Sequence, residues 1–187
     1  MPNFNQSDAL LLVDVQRDFC PGGSLPIPEG DAVVPVLNRW LEAAGAAGVR
    51  VYASRDWHPP KHISFADRGG PWPIHCVRET TGAAFHENLA LPDDVVVISK
   101  AQDEDRDSYS ALDGTDLAER LRTDGVQRLW IGGLAEDVCV KATVLDALRE
   151  GFEVRLIDGG TRPVTVQGGR EAREAMTSAG AQVGSLD

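Results

Sequence analysis

The chain of 187 residues has only three cysteines, Cys20, Cys76 and Cys139, and no CxxC pair. So sparse and odd a set does not describe a disulfide framework, and a reducing, cytoplasmic setting is the simpler expectation. Positive charge is also scarce: 18 Lys and Arg stand against 29 Asp and Glu, for a formal net charge of -11. That balance argues against nucleic acid or an anionic membrane as the main partner and suits a small neutral or weakly basic molecule. Long apolar runs are missing as well. The run Ala9–Val13 follows no basic segment and is too short for a signal-peptide core or a membrane span, so a soluble, intracellular protein is expected. No internal repeat or low-complexity tract is present.

What is there describes an ordinary globular protein, 42% hydrophobic and 25% charged. The length suits one domain over residues 1–187, which would bury roughly 70% of its unfolded surface. Short apolar runs at Ala9–Val15, Val49–Ser54, Val95–Ser99, Arg128–Leu134, Glu153–Ile157 and Ala181–Leu186 predict six strands. They are β-branched and nearly continuous, as expected of strands covered on both faces. Helix-period segments alternate with them at Ala32–Ala46, Thr115–Thr123, Asp137–Glu150 and Gly169–Ala179, the last two closed by Gly151 and Gly180. This rhythm predicts an α/β fold: a parallel, mostly six-stranded sheet with helices on both faces.

Residues 56–92 break the rhythm. The segment is irregular, and long irregular loops in compact domains are usually functional. It opens on Asp56-Trp57-His58 at the end of the second predicted strand, with His62, His75 and His86 following. A carboxylate and a histidine two apart on extended backbone point the same way, and a distant histidine can join them on one ion. Two histidines and a carboxylate leave positions open for water or substrate, as catalytic metal sites do. The alternative for this spacing is a pair of hydrogen-bonding loop residues. His62 is a conceivable fourth ligand hindered by Pro59 and Pro60, and His86 is expected to be a hydrogen-bonded loop residue. Asp103–Asp107 (DEDRD) is expected to be a solvated charged turn.

Cys139 lies where the strand RLWIGGL gives way to a helix. Unpaired N–H groups and the dipole at a helix start favour an anion, which predicts a lowered thiol pKa and a nucleophile, with the same N–H groups able to hold an oxyanion. A buried cysteine that merely packs the helix start is the alternative. Asp14 interrupts the apolar run LLLVDVQ, and Lys100 ends VVVIS at its carboxyl end. Ligands bind at the carboxyl ends of parallel strands, so an acid, an amine and a thiol there form a candidate reactive set. A buried Asp–Lys pair tying the sheet together is the other reading.

Taken together these segments resemble the nicotinamidase (pyrazinamidase) group of the isochorismatase-like cysteine hydrolase superfamily. The resemblance runs through VDVQRDFCPGGSLPIPEGD (13–31), RDWHPPKHISF (55–65), WPIHCVRETTGAAFH (72–86), SK (99–100), GLAEDVCVKATVLDAL (133–148) and DGGTRPV (158–164). It implies a three-layer α/β/α fold and a catalytic triad of Asp14, Lys100 and Cys139. It further implies an oxyanion hole from the backbone of Ala135 and Cys139 beside a cis Leu134–Ala135 peptide. Asp56, His58 and His75 are the implied ligands of one divalent ion, Zn2+ before Fe2+ or Mn2+, with His62 a ligand only in some members. Phe19 and Trp72 would line the ring of a small amide substrate, nicotinamide first, and Tyr109 matches a similar position. Glu136 departs from the Thr or Leu usual in the group, next to the oxyanion loop. Rival readings are an amidase of the same superfamily acting on N-carbamoyl or ureido compounds, and a non-catalytic ligand- or metal-binding homologue. A monomer and a homo-oligomer are both compatible with the sequence.

Overall fold

The computed structural model describes residues 4–186. Six strands, β1 (Asp8–Val13), β2 (Arg50–Asp56), β3 (Val96–Lys100), β4 (Arg128–Leu134), β5 (Glu153–Arg162) and β6 (Gln182–Gly184), form one sheet in the order β3-β2-β1-β4-β5-β6. All five pairings are parallel, as strand–helix alternation requires. Helices α1 (Val33–Ala47), α2 (Leu117–Thr123), α3 (Lys141–Arg149) and α4 (Val166–Ser178) cover the sheet in three α/β/α layers.

Strand alternation explains the two cores. Leu10 and Leu12 of β1 meet Val33, Leu37, Trp40 and Leu41 of α1 on one face. Ala9, Leu11 and Val13 meet Leu117 and Leu121 of α2, Val144 and Ala147 of α3, and Ala172 and Met176 of α4 on the other. The α1 stripe falls at helical spacing, and Gly48, at φ 66°, closes the helix by donating to the carbonyls of Ala44 and Gly45.

The expectation of strands covered on both faces holds for β1 and fails at the edges, where Val97 of β3 and Val183 of β6 are 40% and 45% exposed. Other bounds differ by a few residues. Asp14 is not inside β1 but just beyond it: a left-handed φ of 50° turns the chain there, while its N–H still donates to Ser54 O at 3.1 Å. β5 runs five residues past its expected end, beyond a register shift opposite Ile131 and Gly133 that an apolar pattern does not reveal. The helix expected over Asp137–Glu150 opens with a wide π turn at Glu136–Val140 before α3 begins. Among the described residues no helix is long and apolar enough to cross a membrane.

Candidate active site

The lateral order of the four strands β3-β2-β1-β4 sets the site. At their carboxyl ends stand Lys100 (the last residue of β3), Asp56 (the last of β2), Asp14 (the first after β1) and, past β4, Ala135 and the π turn bearing Cys139. Asp56 and Lys100 are register partners, and neighbouring strands are about 4.8 Å apart, so side chains at adjacent strand ends meet. Four residues far apart in sequence thus converge because their strands are neighbours.

Lys100 lies at the centre of this group. Its Nζ is 2.9 Å from Asp14 Oδ2 and 2.6 Å from Asp56 Oδ1, and it donates to Cys139 Sγ at 3.5 Å. Asp14 is fully buried and accepts a further hydrogen bond from Ser54 Oγ at 2.7 Å. Burial pushes the Asp14 carboxyl up, opposed by Lys100. Burial also resists ionisation of Asp56, yet the Lys100 ammonium holds its carboxyl well below the usual range. Burial opposes the charge on Lys100, and the two aspartates overcome it and raise the ammonium well above its ordinary value. The expectation of a lowered Cys139 pKa is corrected by this geometry. Burial pushes the thiol up, Lys100 opposes it, and Asp14 and Asp56 add to the rise, so the group rests as a thiol beside a base.

Asp56 also faces the histidines. Its Oδ2 is 3.5 Å from His58 Nε2 and 3.9 Å from His75 Nε2. His58 Nδ1 donates to Ala101 O at 3.1 Å and His75 Nδ1 to Pro73 O at 2.7 Å. A carbonyl only accepts, so both rings carry their proton on Nδ1 and turn the Nε2 lone pair toward Asp56. Burial lowers the His75 pKa and keeps that ring neutral. His58 Nε2 is buried with no hydrogen-bond partner, an orphaned acceptor, and the ligating atoms of Asp56, His58 and His75 lie within 4.8 Å of one another. The donor set, its tautomers and its spacing fit a divalent cation. His62 stays outside the set, although it stacks on His58 with ring centroids 4.1 Å apart. Its Nδ1 meets Ser64 Oγ at 2.7 Å and its Nε2 meets Arg106 O at 3.1 Å, so no ring nitrogen is left to ligate.

Asp56, His58, His75 and Cys139 floor a pocket of about 410 Å³, its open mouth included, walled by Phe19, Leu25, Ile27, Trp72, Tyr109, Val138 and Val164. The Phe19 ring lies 5.6 Å from that of His75, and Trp72 Nε1 donates to Tyr109 OH at 3.2 Å across the mouth. Ala135 reaches the pocket just after a cis Leu134–Ala135 peptide. His86 behaves as expected, accepting from Asn88 N at 3.2 Å. Asp107 does not: placed by its sequence in a solvated turn, it lines the pocket.

Several contributors escaped the sequence reading. Gln16, fully buried, clamps the end of β2 by donating to the carbonyls of Asp56 and Ala83, both at 2.8 Å, and accepting from Asp56 N at 2.9 Å. A polar residue two positions after Asp14 was the available signal. Ser54, Leu25 and Ile27 carried none.

A thiol, a carboxylate and an ammonium meeting at a sheet edge under an apolar slot make up the chemistry of an amide hydrolase that works through a buried cysteine. Comparison with known proteins narrows the class. The isochorismatase domain family matches residues 8–187. The nicotinamidase of Escherichia coli (strain K12) is 40% identical, with 95% of this chain and 94% of that protein covered. The structure of the pyrazinamidase of Pyrococcus horikoshii in complex with zinc is 47% identical at a TM-score of 0.94, covering 96% of this chain and 99% of that one. The structure of PnC1 from L. infantum in complex with nicotinate is 34% identical at a TM-score of 0.89, covering 96% and 93%. The chain belongs to the isochorismatase family, in its nicotinamidase and pyrazinamidase group.

Proposed function

We propose that the chain, as one hydrolase domain, converts nicotinamide to nicotinic acid and ammonia, and pyrazinamide likewise, through a thioester on Cys139. The observation that carries this reading is the placement of Lys100 Nζ between Asp14, at 2.9 Å, and Cys139 Sγ, at 3.5 Å, beneath a slot lined by Phe19 and Trp72. Relatives named nicotinamidase and pyrazinamidase over nearly the full chain supply the substrate class.

Asp14 is the general base. Its raised pKa suits a carboxylate that must take a proton and give it back. It accepts the Cys139 proton, and the thiolate attacks the carboxamide carbon while Lys100 offsets the charge. Backbone N–H groups of Ala135 and Cys139 hold the oxyanion. Collapse breaks the C–N bond, and Asp14 returns its proton to the departing ammonia. Water then attacks the thioester, Asp14 takes its proton, the C–S bond breaks, and Asp14 passes the proton to the departing sulfur, which restores the thiol and the base. The flat walls of Phe19 and Trp72 orient a planar ring and exclude bulk water.

Asp56, His58 and His75 would hold one divalent ion, Zn2+ in our reading, since the zinc-bound relative shares the fold and the donors are two imidazoles and a carboxylate. When bound, such an ion supplies Lewis acidity toward a nitrogen or oxygen donor of the ligand.

The reading is tested by Cys139→Ala. Ammonia release from nicotinamide should vanish while metal content, measured by elemental analysis, stays at the wild-type level. Residual turnover above a few per cent of wild type would remove Cys139 from the nucleophile's role.

A further inference from the structure

Glu136 is 2% exposed, next to Ala135 and in the π turn that carries Cys139, yet it does not face the pocket. It turns toward α4 instead. Arg173 of α4 grips it with two parallel hydrogen bonds, Nε to Oε1 and Nη2 to Oε2, both 3.0 Å, and Thr161 Oγ1 of β5 donates to Oε2 as well. Its neighbour Asp137 acts the same way at the start of α4, accepting from Val164 N at 2.8 Å and Thr165 N at 3.3 Å. Consecutive carboxylates therefore fasten the turn to one helix, first at its amino end and then two turns along.

The sequence accommodates this approach with two glycines. A Cβ at Gly168 would stand 2.3 Å from Asp137 Oδ2, and one at Gly169 would stand 3.2 Å from Glu136 Oε1 and 2.8 Å from Pro163. Val164, which the Asp137 carboxylate holds, is itself a wall of the pocket. A fork-to-fork arginine–carboxylate pair fixes orientation as well as distance.

We propose that Arg173 is a positioning residue for the hydrolysis: through Glu136 it holds the turn that sets Cys139 and Ala135 against Asp14 and Lys100. The proposal rests on the reading of Cys139 as nucleophile. It gives Glu136 a use behind the turn rather than in substrate choice. Displacing the turn by a fraction of an ångström spoils attack geometry without altering the aromatic slot, so kcat should respond and KM should not.

The test compares Arg173→Met, Arg173→Lys and Glu136→Gln in the full-length, zinc-loaded protein. Three quantities are read: kcat and KM for nicotinamide, thermal stability, and the rate at which iodoacetamide alkylates Cys139, located by mass spectrometry. Arg173→Met is expected to lower kcat roughly tenfold to a hundredfold with KM within about threefold of wild type, in line with the loss of groups that orient others. Its Cys139 alkylation should slow in parallel. Arg173→Lys keeps the charge without the fork and should fall between it and wild type. Glu136→Gln, the fallback if Arg173→Met does not fold, keeps the shape and should lose less than tenfold. Wild-type kcat in Arg173→Met and in Glu136→Gln would overturn the proposal. So would losses in kcat and KM together, or losses that follow thermal stability and ignore the Arg/Lys difference. If the wild-type protein releases no ammonia from nicotinamide while Arg173→Met still slows Cys139 alkylation, the positioning role stands and the substrate assignment falls.

Discussion

Lys100 is a cation with almost no solvent, and it persists there because two carboxylates and a thiol surround it. Of the two carboxylates, Asp56 is held ionised and Asp14 is held closer to protonation, so neighbouring groups of the same type are set to different tasks. The folded protein binds the Asp14 proton more tightly than the unfolded chain, whose aspartate titrates at about 4. That contribution to stability is complete below the unfolded pKa and is lost as pH rises through the higher folded value, leaving a penalty at neutral pH. Asp14→Asn removes the penalty and leaves Lys100 its partner Asp56. It should abolish ammonia release and yet raise the melting temperature at pH 7, the gain shrinking as pH falls toward 4. A variant that melts lower at pH 7, or a gain that grows on acidification, would contradict the assigned direction. Asp14 was legible in the sequence because an ionisable residue in an apolar run has to be paired or used. The raised thiol pKa of Cys139 was not, since it depends first on how deeply the fold buries the π turn and then on carboxylates delivered by other strands.

Between elements, the closest approach that shapes the site is that of β4 to β1. Gly133 pairs with Val13 at φ 130°, and a Cβ there would lie 2.0 Å from Val13 O. Only glycine lets β4 deliver Leu134 and Ala135 so near the end of β1 where Asp14 turns out. Gly133→Ala combines backbone strain with overpacking and should cost about 3 kcal/mol, read as a lower urea midpoint at unchanged slope. A midpoint within error of wild type would show that β4 can shift without loss. Elements were legible where the apolar period was uninterrupted: the expected bounds of β4 are those observed, Arg128–Leu134. They were not legible where tertiary contacts set them. The π turn before α3 is fixed by the Glu136 and Asp137 clamps to α4, and the later half of β5 follows a register shift against β4. The Asp56–Lys100 pairing escaped for the same reason, because strand order and register join residues 44 positions apart that no local pattern connects.

For the molecule as a whole, the segment between β2 and β3 is the part with least regular structure. From residue 57 to 95 it holds only two short helical turns, and it is tied down by isolated bridges such as His58 to Val77 and Phe65 to Trp72. Asp18 accepts from Cys76 N at 2.7 Å and adds a buried tie. The proposed metal-ligand set spans this arrangement, with Asp56 on the sheet, His58 at the start of the loop and His75 deep within it, so an ion bound there would close the loop onto the sheet. A ligand that binds only the folded form adds about 2.7 kcal/mol at a free concentration 100 times its Kd. Chelation with excess EDTA should therefore lower the melting temperature by several degrees and expose the loop to trypsin, which has exposed targets at Lys61, Arg68 and Arg78. Zinc should restore both properties, and His75→Ala should mimic the chelated state and resist rescue, because its ligand is covalently absent. His62→Ala should remain rescuable, since both nitrogens of that ring already serve Ser64 and Arg106. If chelation strips the metal and neither melting nor cleavage changes, the ion serves the pocket alone and the loop is held by its apolar and backbone contacts. If His62→Ala fails to recover with zinc while His75→Ala recovers, the ligand set drawn from the ring hydrogen bonds is wrong.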